Sequence, residues 1–156
     1  MGKAIEIVAS NTLFEILSVI GDAGEELTWS FLNLDGDWYE AVSKAPNGLI
    51  LPWRAIPGFV DWYNQSSSTG GTMWCVLVGC ANAKDIPQGL WPDLGEIPKP
   101  AALYVSSQIV IEDLDAAYWR VYAADGDLID RITQRFHALH YTKVRPAEYI
   151  PAELIT

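Results

Sequence analysis

The chain has 156 residues, half of them hydrophobic and 19% charged, which suits one ordinary globular domain and excludes collagen, coiled-coil, disordered and disulfide-stapled classes. Twenty acids against ten bases give a formal charge of −10, which repels nucleic acid and anionic lipid at long range and attracts cationic partners. The longest uncharged apolar stretch, Gly71 to Ala83, is about 13 residues against the roughly 20 a membrane-spanning helix needs; with Glu6 inside what would be the apolar part of a signal peptide, the expected compartment is the cytosol.

In chain order, Lys3 to Ser10 reads as a short strand through Ile5, Ile7 and Val8. A helix follows: Thr12 and Glu15 match a capping box, Leu13, Phe14, Ile16, Leu17 and Ile20 make an apolar stripe, and Gly21 is the stop. After the acidic turn Asp22 to Glu26, residues Leu27 to Leu34 nearly alternate and predict a strand. Asp35-Gly36 then predicts a tight turn into Asp37 to Val42, because Asp-Gly supplies the positive φ angles of a primed hairpin turn. Pro46, Pro52 and Pro57 break the next stretch before a short helix at about Gly58 to Gln65, and Gln65 to Gly71 reads as an exposed loop. Thr72 to Val78 is a continuous apolar run, the pattern of a strand buried on both faces.

Four prolines make Asp85 to Pro100 irregular. Ile109 to Ile111 and Tyr118 to Ala123 read as strands, and Gly126 to Leu139 as a helix capped by Asp125 or Asp127, with Leu128, Ile129, Ile132, Phe136 and Leu139 on one face. A last strand at Tyr141 to Val144 stops before Pro146. Without an internal repeat, the expected fold is a single α+β domain, residues 1–156, with a mostly antiparallel sheet and two or three helices packed on it.

Most catalytic signatures are absent: there is no Walker loop, GxGxxG, GxSxG, HExxH or CxxC. Cys75, Cys80, His137 and His140 are the sole zinc-like set, but the cysteine spacing is wider than the common pattern, and small buried thiols with histidines at a helix end explain it better. No metal, no cofactor and no enzymatic activity are expected. Asp35 with Asp37, or Glu112 with Asp113 and Asp115, are candidate carboxylate pairs for acid–base work, although Asp35 and Asp37 flank a turn glycine where Asp is favoured on conformational grounds.

Seven Trp and seven Tyr are heavy for this length, and several sit beside acids, as in Asp37-Trp38-Tyr39-Glu40, Asp61-Trp62-Tyr63 and Asp115-Ala116-Ala117-Tyr118-Trp119. Such pairings suit a surface where aromatics supply buried contact area and acids steer a basic partner. For any single Trp a core position is the commoner reading.

The stretch Val110-Ile111-Glu112-Asp113-Leu114-Asp115-Ala116-Ala117-Tyr118-Trp119-Arg120-Val121-Tyr122, with Asp127 to Ile132, resembles the tail of immunity proteins from bacterial polymorphic-toxin and secretion-system loci. The resemblance covers about 25 residues. It implies a small acidic α+β protein kept in the cytosol that occludes a toxin made by the same cell. The resulting expectation is an antitoxin that grips a basic protein toxin through Asp35, Asp37, Trp38 and Glu40, through Asp61 and Trp62, and through Glu112, Asp113 and Asp115, with no direct contact to nucleic acid or membrane. Three alternatives stand beside it. A phage-type anti-defence inhibitor mimicking nucleic acid needs a duplex-like array of acids, a Trp-rich carbohydrate-binding module needs exposed coplanar rings, and a small hydrolase needs a cleft with converging carboxylates.

Overall fold

A computed structural model describes residues 2–8, 13–34, 49–58, 61, 74–87, 100–114, 118–139 and 143–146. In these residues the chain runs β1 (Lys3–Val8), α1 (Leu13–Ile20), a 3-10 turn (Gly21–Glu26), β2 (Thr28–Leu34), β3 (Leu49–Leu51), a 3-10 turn (Trp53–Ala55), β4 (Trp74–Cys80), a 3-10 turn (Ala83–Asp85), α2 (Pro100–Ser106), β5 (Ile109–Leu114), β6 (Tyr118–Ala123), α3 (Gly126–His137) and β7 (Lys143–Pro146). The strands form one seven-stranded sheet in the order β3-β2-β4-β5-β6-β1-β7, every pairing antiparallel. This is the expected α+β architecture. No helix among the described residues is long and apolar enough to cross a membrane.

Strand side chains alternate between the two faces, so each strand feeds two cores. One face carries Ile5, Ile7, Trp29, Phe31, Leu77, Ile111, Trp119 and Val121, covered by Leu13, Ile16, Leu17 and Ile20 of α1 and by Leu128, Ile129, Ile132 and Phe136 of α3. The other carries Ala4, Leu32, Val76, Val78, Cys80, Val110 and Tyr122, covered by Leu103 and Tyr104 of α2 and by Ile86. Both faces of β4 are therefore filled, as its continuous apolar run predicts, and β4 sits inside the sheet between β2 and β5.

Local chemistry sets the element ends. Asp125 caps α3 by accepting a hydrogen bond from the Asp127 amide at 3.0 Å, satisfying a donor that the first helical turn leaves open. Gly21 ends α1 at φ 57, a left-handed conformation that glycine adopts without strain, and the chain tightens into the 3-10 turn rather than leaving as a loop. Gly24 lets the Trp53 indole lie against the backbone, since a Cβ there would overlap the ring. Trp53 in turn meets Trp29 with ring centroids 4.8 Å apart, and Trp29 Nε1 donates to the Gly24 carbonyl at 2.7 Å.

Several expectations shift, and others fall outside the described residues. Strand β3 arises in the proline-broken stretch and helix α2 from Pro100 onward, where no element is expected, because both are short and their apolar residues, such as Leu51, Leu103 and Tyr104, are fixed by tertiary packing. The last strand is displaced to Lys143–Pro146 and includes Pro146, which an edge strand tolerates. Helical backbone near Gly58 begins by residue 56, and its expected continuation to Gln65 lies outside the described residues apart from Asp61. The Asp35-Gly36 turn and the second hairpin strand also lie outside them.

Candidate functional site

The described residues contain one concentrated polar constellation, and it runs across the sheet. Register places Glu6 of β1 opposite both Arg120 of β6 and Arg145 of β7, and Arg120 opposite Glu112 of β5. Directly opposed cross-strand residues hold their Cβ atoms roughly 4.5–5.5 Å apart, so four strands each contribute one charge to a row of alternating sign. Arg145 Nε donates to Glu6 Oε2 at 2.6 Å, Arg120 Nη2 lies 3.6 Å from Glu6 Oε1, and Arg120 Nη1 donates to Glu112 Oε2 at 3.2 Å. From α2, the Tyr104 hydroxyl donates to the same Glu112 Oε2 at 2.5 Å.

Glu6, Arg120 and Glu112 are buried, while the Arg145 side chain is about half exposed at the rim. The row lies on the α2 face, next to the parallel row Ala4, Tyr122 and Val110 of the apolar cluster. Isolated charges in such a place would cost many kcal/mol, and alternation in sign is what makes the row tolerable. Burial, then the Glu112 carboxylate, push the Tyr104 phenol well above its ordinary value, so it stays a hydrogen-bond donor to that carboxylate. As chemistry, the row is a chain of ion pairs suited to fixing strand register and holding α2 on the sheet.

Glu112 and Asp113 are therefore not part of a solvent-facing acidic patch. Glu112 is 3% exposed and Asp113 1%, the first engaged by Arg120 and Tyr104, the second on the opposite face beside the strand position of Trp119. The physical reason is that both fall within β5, in the middle of the sheet, where neither face meets water. Asp61 is exposed, as a steering residue must be. Asp35, Asp37, Trp38, Glu40, Trp62 and Asp115 lie outside the described residues.

Of the seven indoles, Trp29 and Trp119 are core residues and Trp53 is half-buried against Trp29. Cys80 sits on the α2 face, its thiol donating to Ser107 Oγ at 3.7 Å and pushed to a higher pKa by burial, whereas His137 ends α3 on the other face. The sheet thus separates two members of the zinc-like set. Among the described residues no group of three or more His, Cys, Asp or Glu is arranged to hold a metal ion.

Sequence reasoning passed over Glu6, Arg120, Arg145 and Tyr104. A signal was present: Glu6 of β1, Glu112 of β5 and Arg120 of β6 are charges inside largely apolar strands, and they differ in sign. Comparison of the chain with family models, curated proteins and solved structures yields no match.

Proposed function

We propose that the protein is a non-enzymatic inhibitor of the immunity-protein kind, which works in the cytosol by binding and occluding a cationic protein toxin. The observation that carries this reading is how the charge is distributed. Of ten Lys and Arg residues, Lys3, Arg54, Arg120, Arg135 and Arg145 are tied to carboxylates of the same chain. These pairs use five acids as well, Glu6, Glu15, Glu25, Glu112 and Asp130, so the net excess of acids is undiminished, and among the described residues it includes exposed Asp22, Glu26, Asp61 and Asp127. A net −10 of this kind accelerates encounter with a basic surface by long-range attraction.

The docking residues in this reading are Asp35, Asp37, Trp38 and Glu40, together with Asp61, Trp62 and Asp115. Acids guide the approach and indoles anchor the contact. Glu112 and Asp113 take no part, since a residue sealed inside the sheet touches no partner.

The test is growth rescue. Proteins crosslinked to the chain in its native host are identified and expressed singly in a neutral host. The inhibitor reading expects one that arrests growth alone and ceases to do so when this chain is co-expressed. Partners that are harmless, or whose toxicity persists with the chain bound, would overturn it.

A further inference from the structure

Among the described residues the sheet has two edge strands, and their chemistry differs. β7 reads Lys143-Val144-Arg145-Pro146, and lysine and proline are the residues by which edge strands avoid pairing with other chains. β3 reads Leu49-Ile50-Leu51, with no charge and no proline inside it. Its register with β2 is Trp29↔Leu51, Ser30↔Ile50 and Phe31↔Leu49, and among the described residues no strand lies on its other side. Ile50 is 45% exposed, one of three large apolar residues so exposed in the described structure.

Negative charge is built beside this edge. After Pro52 the chain turns at Trp53–Ala55, where Trp53 packs on Trp29 and Gly24 and Arg54 Nε donates to Glu25 Oε1 at 2.9 Å. These contacts bring the Gly21–Glu26 turn to the Leu51 end of β3. Arg54 is paired with Glu25, and Asp22 and Glu26 stay exposed in the same turn.

We propose that β3 is the docking edge of the inhibitor, on which an extended basic segment of the partner protein adds as a further antiparallel or parallel strand, with its cations toward Asp22 and Glu26. The inference rests on the inhibitor reading above and names the surface it uses. An edge of three residues spans only about 10 Å, so the ladder is short and charge supplies much of the attraction. The same charge argues against a second copy as the occupant, because two chains of −10 repel one another.

The test uses the full chain and a defined probe, an N-acetylated peptide of alternating lysine and valine about eight residues long, a common strand length. Amide hydrogen exchange is followed residue by residue at low salt. Docking predicts at least tenfold slower exchange within 49–51 when the peptide is present. The protection should vanish with the backbone N-methylated peptide, with an alternating glutamate–valine peptide, and in Ile50→Lys, an exposed substitution that leaves the core intact. Protection confined to other segments, no protection at millimolar peptide, or equal protection in Ile50→Lys would overturn the proposal. So would protection of 49–51 in a peptide-free dimer. Growth rescue that survives Ile50→Lys undiminished would remove β3 as the docking edge while leaving the inhibitor reading in place.

Discussion

Glu6 and Arg120 stand directly opposite one another on β1 and β6, both 3% exposed, and each is bound on its far side by a residue of opposite charge, Arg145 for Glu6 and Glu112 for Arg120. Neither charge could remain at that depth alone. The row ties together β5, β6, β1 and β7 and, through Tyr104, helix α2.

Removing the central cation should therefore be costly. Arg120→Met leaves Glu6 and Glu112 buried without their shared counter-charge, and breaking a buried pair from one side costs about 3–5 kcal/mol. Replacing all three by apolar residues of similar volume, Glu6→Leu with Arg120→Met and Glu112→Leu, should recover most of that loss. Urea denaturation checks both, and a single-variant loss below about 1 kcal/mol would contradict the assignment.

Tyr104→Phe removes the hydroxyl donor to Glu112 Oε2 and should cost about 1–3 kcal/mol near neutral pH. It also carries a pH signature. Burial and the adjacent carboxylate raise the Tyr104 pKa in the folded protein above the unfolded value near 10, so its contribution is full below about pH 10 and fades as pH climbs toward the folded value. Stability measured above pH 10 should fall more steeply for the parent than for Tyr104→Phe. Burial raises Tyr122 as well, but Tyr122 is common to both proteins and cancels in the difference.

Gly24→Ala places a methyl group inside van der Waals contact of the Trp53 indole and forces that ring off Trp29. Overpacking of this kind costs about 1–3 kcal/mol. Thermal unfolding reads the cost, and a change in tryptophan fluorescence should accompany it.

Two charge reversals separate structural acids from surface ones. Glu112→Lys sets like charge against Arg120 inside the sheet and should abolish folding or nearly so. Asp61→Lys acts on an exposed residue and should leave stability within about 0.5 kcal/mol. Circular dichroism melts distinguish the two, and a stably folded Glu112→Lys would contradict the buried row.

Much of the fold can be read from pattern because its signals are local. The apolar run ending in Val76-Leu77-Val78 marks an internal strand, and the 3.6-residue spacing of Leu128, Ile129, Ile132 and Phe136 marks a helix with one buried stripe. Element ends move by a few residues because pairing partners, not propensity, decide them: Cys80 belongs to β4 since Thr28 lies opposite. β3 and α2 escape because three and seven residues are too few to show a period. The charged row escapes for a different reason. Glu112-Asp113 looks like surface in one dimension, and only the register that sets Arg120 opposite Glu112 and Glu6 turns acids into core. Strand alternation also sends the adjacent Glu112 and Asp113 to opposite faces, so the two do not share a patch.

The most direct test of the central claim, that the excess negative charge serves to capture a cationic protein, is the association rate of the chain with its rescued toxin as ionic strength rises from about 0.01 to 0.15 M, where the screening length shrinks from roughly 30 to 8 Å. The rate should fall at least tenfold, and neutralising Asp35, Asp37, Glu40 and Asp61 together should flatten that dependence. A rate indifferent to salt, in the parent and in the neutralised variant alike, would contradict the claim.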